Sequence, residues 1–473
     1  MVVLAEPLRF FLVTDTHIFG QTLGTSGAAF QKLDAYGSTC YKASGALFDA
    51  AAKTMLENPE IDTVLVCGDI SSNGEYLSNT EAAKHLEALQ NAGKHVVAIT
   101  ATHDYTSDDR FPDRVISSFS YGGETAVPAR GTKRTELDGF YQKFGKQQAL
   151  SVHDASGSYC IRLKDGYRLL CLNDDGNGVN CGYDETCMNW IFDNIEAARA
   201  AGDFIFAMTH HPVVPPSPLY PMVSKRDMLL DYETVADTFA AWGLTLIFTG
   251  HSHIQCIRSK KTPPSGRTFY DVGTAALVSY PVPIRKVEIQ NGEVHIETLH
   301  PETFKMDGET YNTLEYTKKR FDSTIYSAID GARHDLDRFA AILNGLSIGR
   351  AGIDAHKQLV RFAGLVADKI TVGAVDHLLF LHSGVRDIRK TKVKDLFAAC
   401  FRGFYAGERF VRENSAEYRF LRALTLRALG LAKMAGFKKA GDTDFKELIL
   451  QILDSVLLPP PLDPNTVTFR LDQ

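Results

Sequence analysis

The chain has 473 residues, 44% of them hydrophobic and 23% charged, which excludes a disordered chain, a collagen-like repeat and a small disulfide scaffold. Lys+Arg 51 against Asp+Glu 57 leaves a net charge of −6, so there is no global bias toward nucleic acid or a membrane surface.

Up to about residue 300, short β-rich runs alternate with helical patterns. Phe10–Thr14, Thr63–Cys67, Val96–Thr100, Phe204–Met208 and Leu244–Phe248 read as strands buried on both faces. Helical stretches are expected near 43–57, 75–92, 184–201 and 231–241, with further strands at 158–163, 167–172, 284–290 and 293–299. Strand–helix alternation predicts an α/β core, and the later run of strands an antiparallel part of the sheet. The segment from about 105 to 150 is long, polar and Gly-rich, the character of a functional insert. After about 310 the period changes to that of amphipathic helices, near 310–344, 354–373, 392–412, 416–435 and 444–457. They are broken at Gly345, Gly349 and Gly436, and Pro459–Pro461 ends the last one. The expected organisation is a domain over 1–305 and a helical domain over 306–473.

No apolar run approaches the ~18 residues that a membrane span needs. The start, Met1–Glu6, lacks the charged region of a signal peptide. A cytoplasmic chain is therefore expected as given, and an extracytoplasmic one if a signal peptide was trimmed. The eight cysteines contain no CxxC pair, which argues against a thiolate zinc site. Cys67 and Cys171 lie in apolar runs, as core residues do, whereas Cys181 and Cys187 are close enough in sequence to pair in an oxidising compartment.

Each buried strand runs into a metal-competent side chain. Asp15-Thr-His17 follows the first and Gly68-Asp69 the second; Thr102-His103-Asp104 follows the third, His210-His211 the fourth and Gly250-His251-Ser-His253 the fifth. Ligands in open α/β sheets gather outside the carboxyl ends of strands, so five such ends converge on one place. Singly the motifs are weak: Asp-x-His recurs at Asp354/His356 in the helical tail, with no strand before it, and His-Asp recurs at His153 and His334, the kind of pair usually found on a solvated surface. As a set of His and Asp they suit Mn, Fe, Zn or Co rather than a thiolate-bound ion.

On these five motifs the chain resembles the calcineurin-like metallophosphoesterase superfamily, whose pattern is Asp-x-His, Gly-Asp, Gly-Asn-His-Asp/Glu, a lone His and Gly-His-x-His. The resemblance covers roughly residues 8–300. It implies a sandwich of two mixed β-sheets flanked by helices, here followed by a C-terminal all-α domain. It also implies two divalent transition metal ions (Mn, Fe or Zn). Asp15, His17, Asp69 and His253 would hold one metal, and Asp69, His210 and His251 the other. His103 would act as the catalytic, non-ligating histidine, oriented by Asp104 unless that residue merely forms the turn. The implied activity is hydrolysis of a small phosphodiester or phosphomonoester by attack of a metal-bound hydroxide.

One position departs from the pattern. Where the family has Gly-Asn-His-Asp, this chain has Ala101-Thr102-His103-Asp104, so the amide ligand of the second metal is replaced by the poorer hydroxyl of Thr102. A weakened, scaffold-like metal protein is the corresponding alternative. No Arg follows Gly-Asp69, unlike the Ser/Thr protein phosphatases, and Ser72 stands where purple acid phosphatases place a Tyr. Phe140-Tyr141, Phe144-Gly145 and Trp190-Ile191 resemble the bacterial phosphodiesterase-type branch. A metal-dependent nuclease competes with that reading, but the Lys/Arg run at Arg386–Lys394 has no aromatic interleaving of the kind that tracks a strand. The expected partner is a small phosphorylated substrate. The sequence does not specify the oligomeric state.

Overall fold

The computed structural model describes residues 6–35, 37–112, 115–176, 181–224, 227–263, 265–342, 354, 357–409, 411–434, 439 and 442–472. The expected breaks at Gly345, Gly349 and Gly436 lie outside them. Two sheets form the core. In chain order the strands are β1 (Leu8–Val13), β2 (Thr63–Cys67), β3 (His95–Ile99), β4 (Phe119–Ser120), β5 (Val127–Pro128) and β6 (Ser151–His153). There follow β7 (Ser158–Lys164), β8 (Tyr167–Cys171), β9 (Phe204–Met208), β10 (Leu246–Thr249), β11 (Cys256–Lys261) and β12 (Thr268–Gly273). The last are β13 (Ile284–Gln290), β14 (Glu293–Leu299), β15 (Thr303–Met306), β16 (Glu309–Asn312) and β17 (Thr466–Arg470).

One sheet runs β17-β14-β13-β1-β2-β3 and the other β11-β12-β10-β9-β8-β7-β6. Both are mixed: β1–β2–β3 and β8–β9–β10–β12 are parallel, and the outer pairs are antiparallel. The apolar runs predicted as buried strands form the layer between the sheets, where Phe10 stacks on Phe206 at 5.6 Å and meets Phe248 edge-on at 5.5 Å. Helices Ser44–Leu56 and Tyr76–Asn91 cover the outside of the first sheet, and Glu185–Ala201 and Tyr232–Trp242 the outside of the second. The Glu185–Ala201 helix shows its local signals plainly. The Asp184 side chain accepts from Cys187 N at its start, and Gly202 takes the left-handed conformation at its end.

Among the described residues the C-terminal region consists mainly of helices, the first starting at Thr313 and the last ending at Leu457; the first begins later than expected, because residues 303–312 form the β15–β16 hairpin. It is also not all-α. Past Pro461 the chain returns to the first sheet as β17, pairing Phe469 with Val294. Its last residues tie the sheets together: Asp472 Oδ2 accepts from Thr268 N at 2.7 Å, and Phe469 stacks on Tyr270 at 4.4 Å. The signal was the alternation of Thr466-Val-Thr-Phe-Arg470. Phe469→Ala is expected to cost about 3–5 kcal/mol, measurable as a lower urea midpoint.

The helical region also reaches the second sheet's rim. Gln255 N donates to Tyr405 O at 2.7 Å, two residues beyond His253, and Phe404 packs on Ile254 and Cys256. Among the described residues no helix is long and apolar enough to cross a membrane. Cys181 and Cys187 are not joined by a disulfide.

Candidate metal centre

Asp15 and His17 leave β1, Asp69 leaves β2, the 101–104 turn leaves β3, His210 leaves β9, and His251 and His253 leave β10. Five of these side chains stand on left-handed backbone: Asp15 (φ 50°), His17 (35°), Asp69 (48°), His251 (59°) and His253 (54°). Each such non-glycine residue costs on the order of 1–3 kcal/mol, and such strain gathers where a site dictates the side chain's direction. Crossing bonds hold it: Asp15 N and His17 N donate to Gly68 O and Asp69 O, each at 3.0 Å. Gly68 itself is left-handed (φ 88°), and a Cβ there would come within 2.6 Å of His210 Nδ1. A side chain at Gly250 would strike Thr14 Oγ1 and Asp15 Oδ2.

The result is two adjacent groups of three donors, Asp15/His17/His253 and Asp69/His210/His251. In the first, His253 Nε2 lies 3.1 Å from Asp15 Oδ1 and 3.3 Å from His17 Nε2. In the second, His210 Nε2 lies 2.9 Å from Asp69 Oδ2, and it is 3.8 Å from Asp15 Oδ1 in the first group. The outward-facing atoms are engaged: His210 Nδ1 donates to Cys67 O at 2.9 Å, which leaves Nε2 as the atom turned toward the carboxylates, where a cation would take the place of its proton. Asp15 Oδ2 accepts from Thr14 Oγ1 and His251 N, and Asp69 Oδ1 accepts from His103 N at 2.8 Å. The inward atoms Asp15 Oδ1 and His210 Nε2 are buried without a hydrogen-bond partner. Orphaned buried atoms cost about 1–3 kcal/mol each. A divalent cation would satisfy both, so the donor set fits one.

The electrostatics agree. Burial opposes ionisation of Asp15, yet His253 and His210 hold it well below the usual carboxylate range. Asp69, equally buried, is held low by His210 and His103. Burial pushes His210 down, but Asp69 and Asp15 more than offset that and hold it at about 10. Burial and the neighbouring His211 and His210 drive His251 well below the usual histidine value.

His103 lies beside both groups, its ring edge-on to His17 at 5.2 Å. Its Nδ1 donates to Asn73 Oδ1 at 2.8 Å, and burial pushes its pKa down. The orienting contact considered for Asp104 is thus made by Asn73. Asp104 is turned inward, accepting from Ser71 N (2.7 Å) and Ala101 N (2.8 Å), and burial, with the Asp69 carboxylate, pushes it up to about 7. It shapes the turn that presents His103. Thr102 is half-buried in that turn.

Of the paired histidines, His210 faces Asp69, whereas His211 turns to Asp174, its Nδ1 2.9 Å from Asp174 Oδ1. Asp174, Cys181 and His211 make a third cluster, which the sequence reading missed. Its signal was present, since Asp174 follows the end of β8 as Asp69 follows β2.

The family model for calcineurin-like phosphoesterases matches residues 8–255. A dimetal phosphatase from Danio rerio is similar at 12% identity over 65% of this chain and 100% of its own, with a TM-score of 0.44. A purple acid phosphatase from yellow lupin (Lupinus luteus) seeds is 11% identical over 65% of this chain and 53% of its own, TM-score 0.39. An NAD nucleotidase from Haemophilus influenzae is 13% identical over 77% and 61%, TM-score 0.33. No curated protein matches the sequence.

Proposed function

The chain belongs to the calcineurin-like phosphoesterase family, and from that premise we propose that it is a dinuclear-metal phosphoesterase. In this reading it hydrolyses phosphodiester or phosphomonoester bonds of a small substrate, in the manner of the bacterial phosphodiesterase-type branch. The observation that carries it is the pair of adjacent Asp/His groups whose inward atoms, Asp15 Oδ1 and His210 Nε2, are buried and unpartnered.

Asp15, His17 and His253 would hold one ion and His210 and His251 the other, with Asp69 shared between them. When bound, two divalent cations (Mn, Fe or Zn) neutralise phosphate oxygens and acidify water. The rest is work for the chain's own residues. The Asn73 contact commits the Nδ1 proton of His103, so Nε2 is the atom left to address the substrate. Burial pushes that ring toward its neutral form in the free protein, and an arriving phosphate anion favours its protonated form. The ring then gives a proton to the leaving oxygen, a role worth ~10²–10⁴ in rate.

The deciding experiment loads the protein with Mn²⁺, Fe²⁺ or Zn²⁺, measures bound metal, and assays phosphomonoesters, diesters and nucleotides. Metal uptake with metal-dependent hydrolysis is expected. Uptake without any turnover would favour the scaffold reading, and no uptake would remove the site assignment.

Thr102 enters as the weak point of the second site, because a hydroxyl is a poorer donor than the amide in the family pattern. Thr102→Asn is expected to tighten the weaker metal by ~10–100-fold, the scale of a supporting group's contribution, as read by metal titration. Unchanged affinity would show that Thr102 or another group already serves. For organisation, we assign residues 1–305 to the catalytic domain and 306–473 to a mainly helical domain packed on it, whose β16 and β17 pair back onto β15 and the first sheet; the Gln255–Tyr405 bond and Arg320 Nη1 bonded to Asp34 Oδ2 at 3.0 Å support this. Proteolytic release of a stable, fully active 1–305 fragment would count against that packing.

A further inference from the structure

The cluster of Asp174, Cys181 and His211 adjoins the metal centre but has no part in the chemistry above. Asp174 is fully employed. Its Oδ2 accepts from Thr209 Oγ1 (2.8 Å), His210 N (3.1 Å) and His211 N (2.8 Å), and its Oδ1 faces His211 Nδ1. It therefore fixes His211 rather than offering a vacant donor. The backbone places Cys181 beside this pair: Gly182 N donates to Asp174 O at 2.8 Å and Leu230 N to Cys181 O at 2.7 Å. Its sulfur lies within 4.8 Å of the donor atoms of both His211 and Asp174. On its other side His211 packs against His251, their ring centroids 4.0 Å apart.

Accessibility singles out the same residue. Seven of the eight cysteines are buried, and Cys181 alone is partly exposed. Burial also raises the buried thiols, Cys40 and Cys400 to about 12 and Cys160, Cys187 and Cys256 to about 11, which makes them poor nucleophiles.

We propose that Cys181 is a covalent modification site for small soft electrophiles, hydroperoxides included, and that a group attached there displaces His211 against His251 and weakens the second metal site. With a hydroperoxide the S–O bond forms as the O–O bond breaks: sulfur is oxidised to a sulfenic acid and the peroxide is reduced. The thiol proton leaves with the departing oxygen as water or an alcohol. With iodoacetamide the S–C bond forms as C–I breaks, iodide leaves with the bonding pair, and the thiol proton passes to the buffer. The coupling to metal rests on the dinuclear reading above; the selectivity for Cys181 does not.

The test uses the full chain and takes its readings in order. Mn²⁺ titration of the untreated protein comes first, and absence of any binding would sink the metal assignment and the coupling with it. Native protein is then treated with iodoacetamide and its cysteine peptides are followed by mass spectrometry. Cys181 should be labelled ahead of the other seven, and labelling spread over the others, or sparing Cys181, overturns the site. Finally the Mn²⁺ titration is repeated on labelled wild type and on identically treated Cys181→Ser. The weaker ion should lose ~10–100-fold in affinity in the wild type, the scale of a disturbed supporting residue, and lose nothing in Cys181→Ser. Labelled Cys181 with unchanged Mn²⁺ affinity for both ions overturns the coupling while leaving the dinuclear reading in place.

Discussion

Asp69→Asn is expected to remove more metal and more activity than His17→Ala or His210→Ala. The substitution nearly preserves shape and removes one charge from a residue that is 1% exposed. Each histidine belongs to one donor group, whereas Asp69 is the carboxylate assigned to both ions. Its Oδ2 faces His210 Nε2 at 2.9 Å, and its Oδ1 anchors the His103 backbone at 2.8 Å. Replacing it takes away a ligand charge, the main partner holding His210 at about 10, and the acceptor that sets the His103 turn. The loss in metal affinity should exceed the ~10–100-fold typical of a merely supporting residue. Metal content after dialysis and kcat/KM, measured on the three variants side by side, check this. Equal or greater losses in His17→Ala would show that Asp69 is not the shared ligand.

His103→Ala should separate binding from chemistry. The ring belongs to neither donor group, and its fixed atom, Nδ1, is spent on Asn73. Bound metal should therefore stay near the wild-type level while turnover falls by ~10²–10⁴. The deficit should be largest for alkyl leaving groups and shrink for nitrophenol, which departs without a proton. Asn73→Ala is expected to show a milder form of the same pattern, because it frees the ring to rotate without removing it. A His103→Ala variant that loses equally on good and poor leaving groups would contradict the proton-donor role.

Much of this site was legible because its signals are local. A buried strand needs a short apolar run, and a chain leaving the carboxyl end of such a strand delivers its next residues to the rim. Asp15, His17, Asp69, His103, His210, His251 and His253 all sit two to four residues past such strands, so counting along the chain reaches each of them. The same rule extended to β8 would have found Asp174. The helical character of the region after 312 was legible for the same reason, from apolar spacing within each helix.

What only the tertiary structure decided was direction and pairing. Asp104 and His103 are neighbours in sequence, yet one turns inward to cap Ser71 N and Ala101 N while the other takes its partner from Asn73, thirty residues earlier. His210 and His211 diverge in the same way, toward Asp69 and Asp174. β17 joins a sheet whose neighbouring strand, β14, ended at Leu299, with the whole helical region in between. Backbone preferences and hydrophobic period act over a few residues. Which way a polar side chain turns, and which distant strand edge a segment completes, depends on where unpaired donors and acceptors are left once the core has packed.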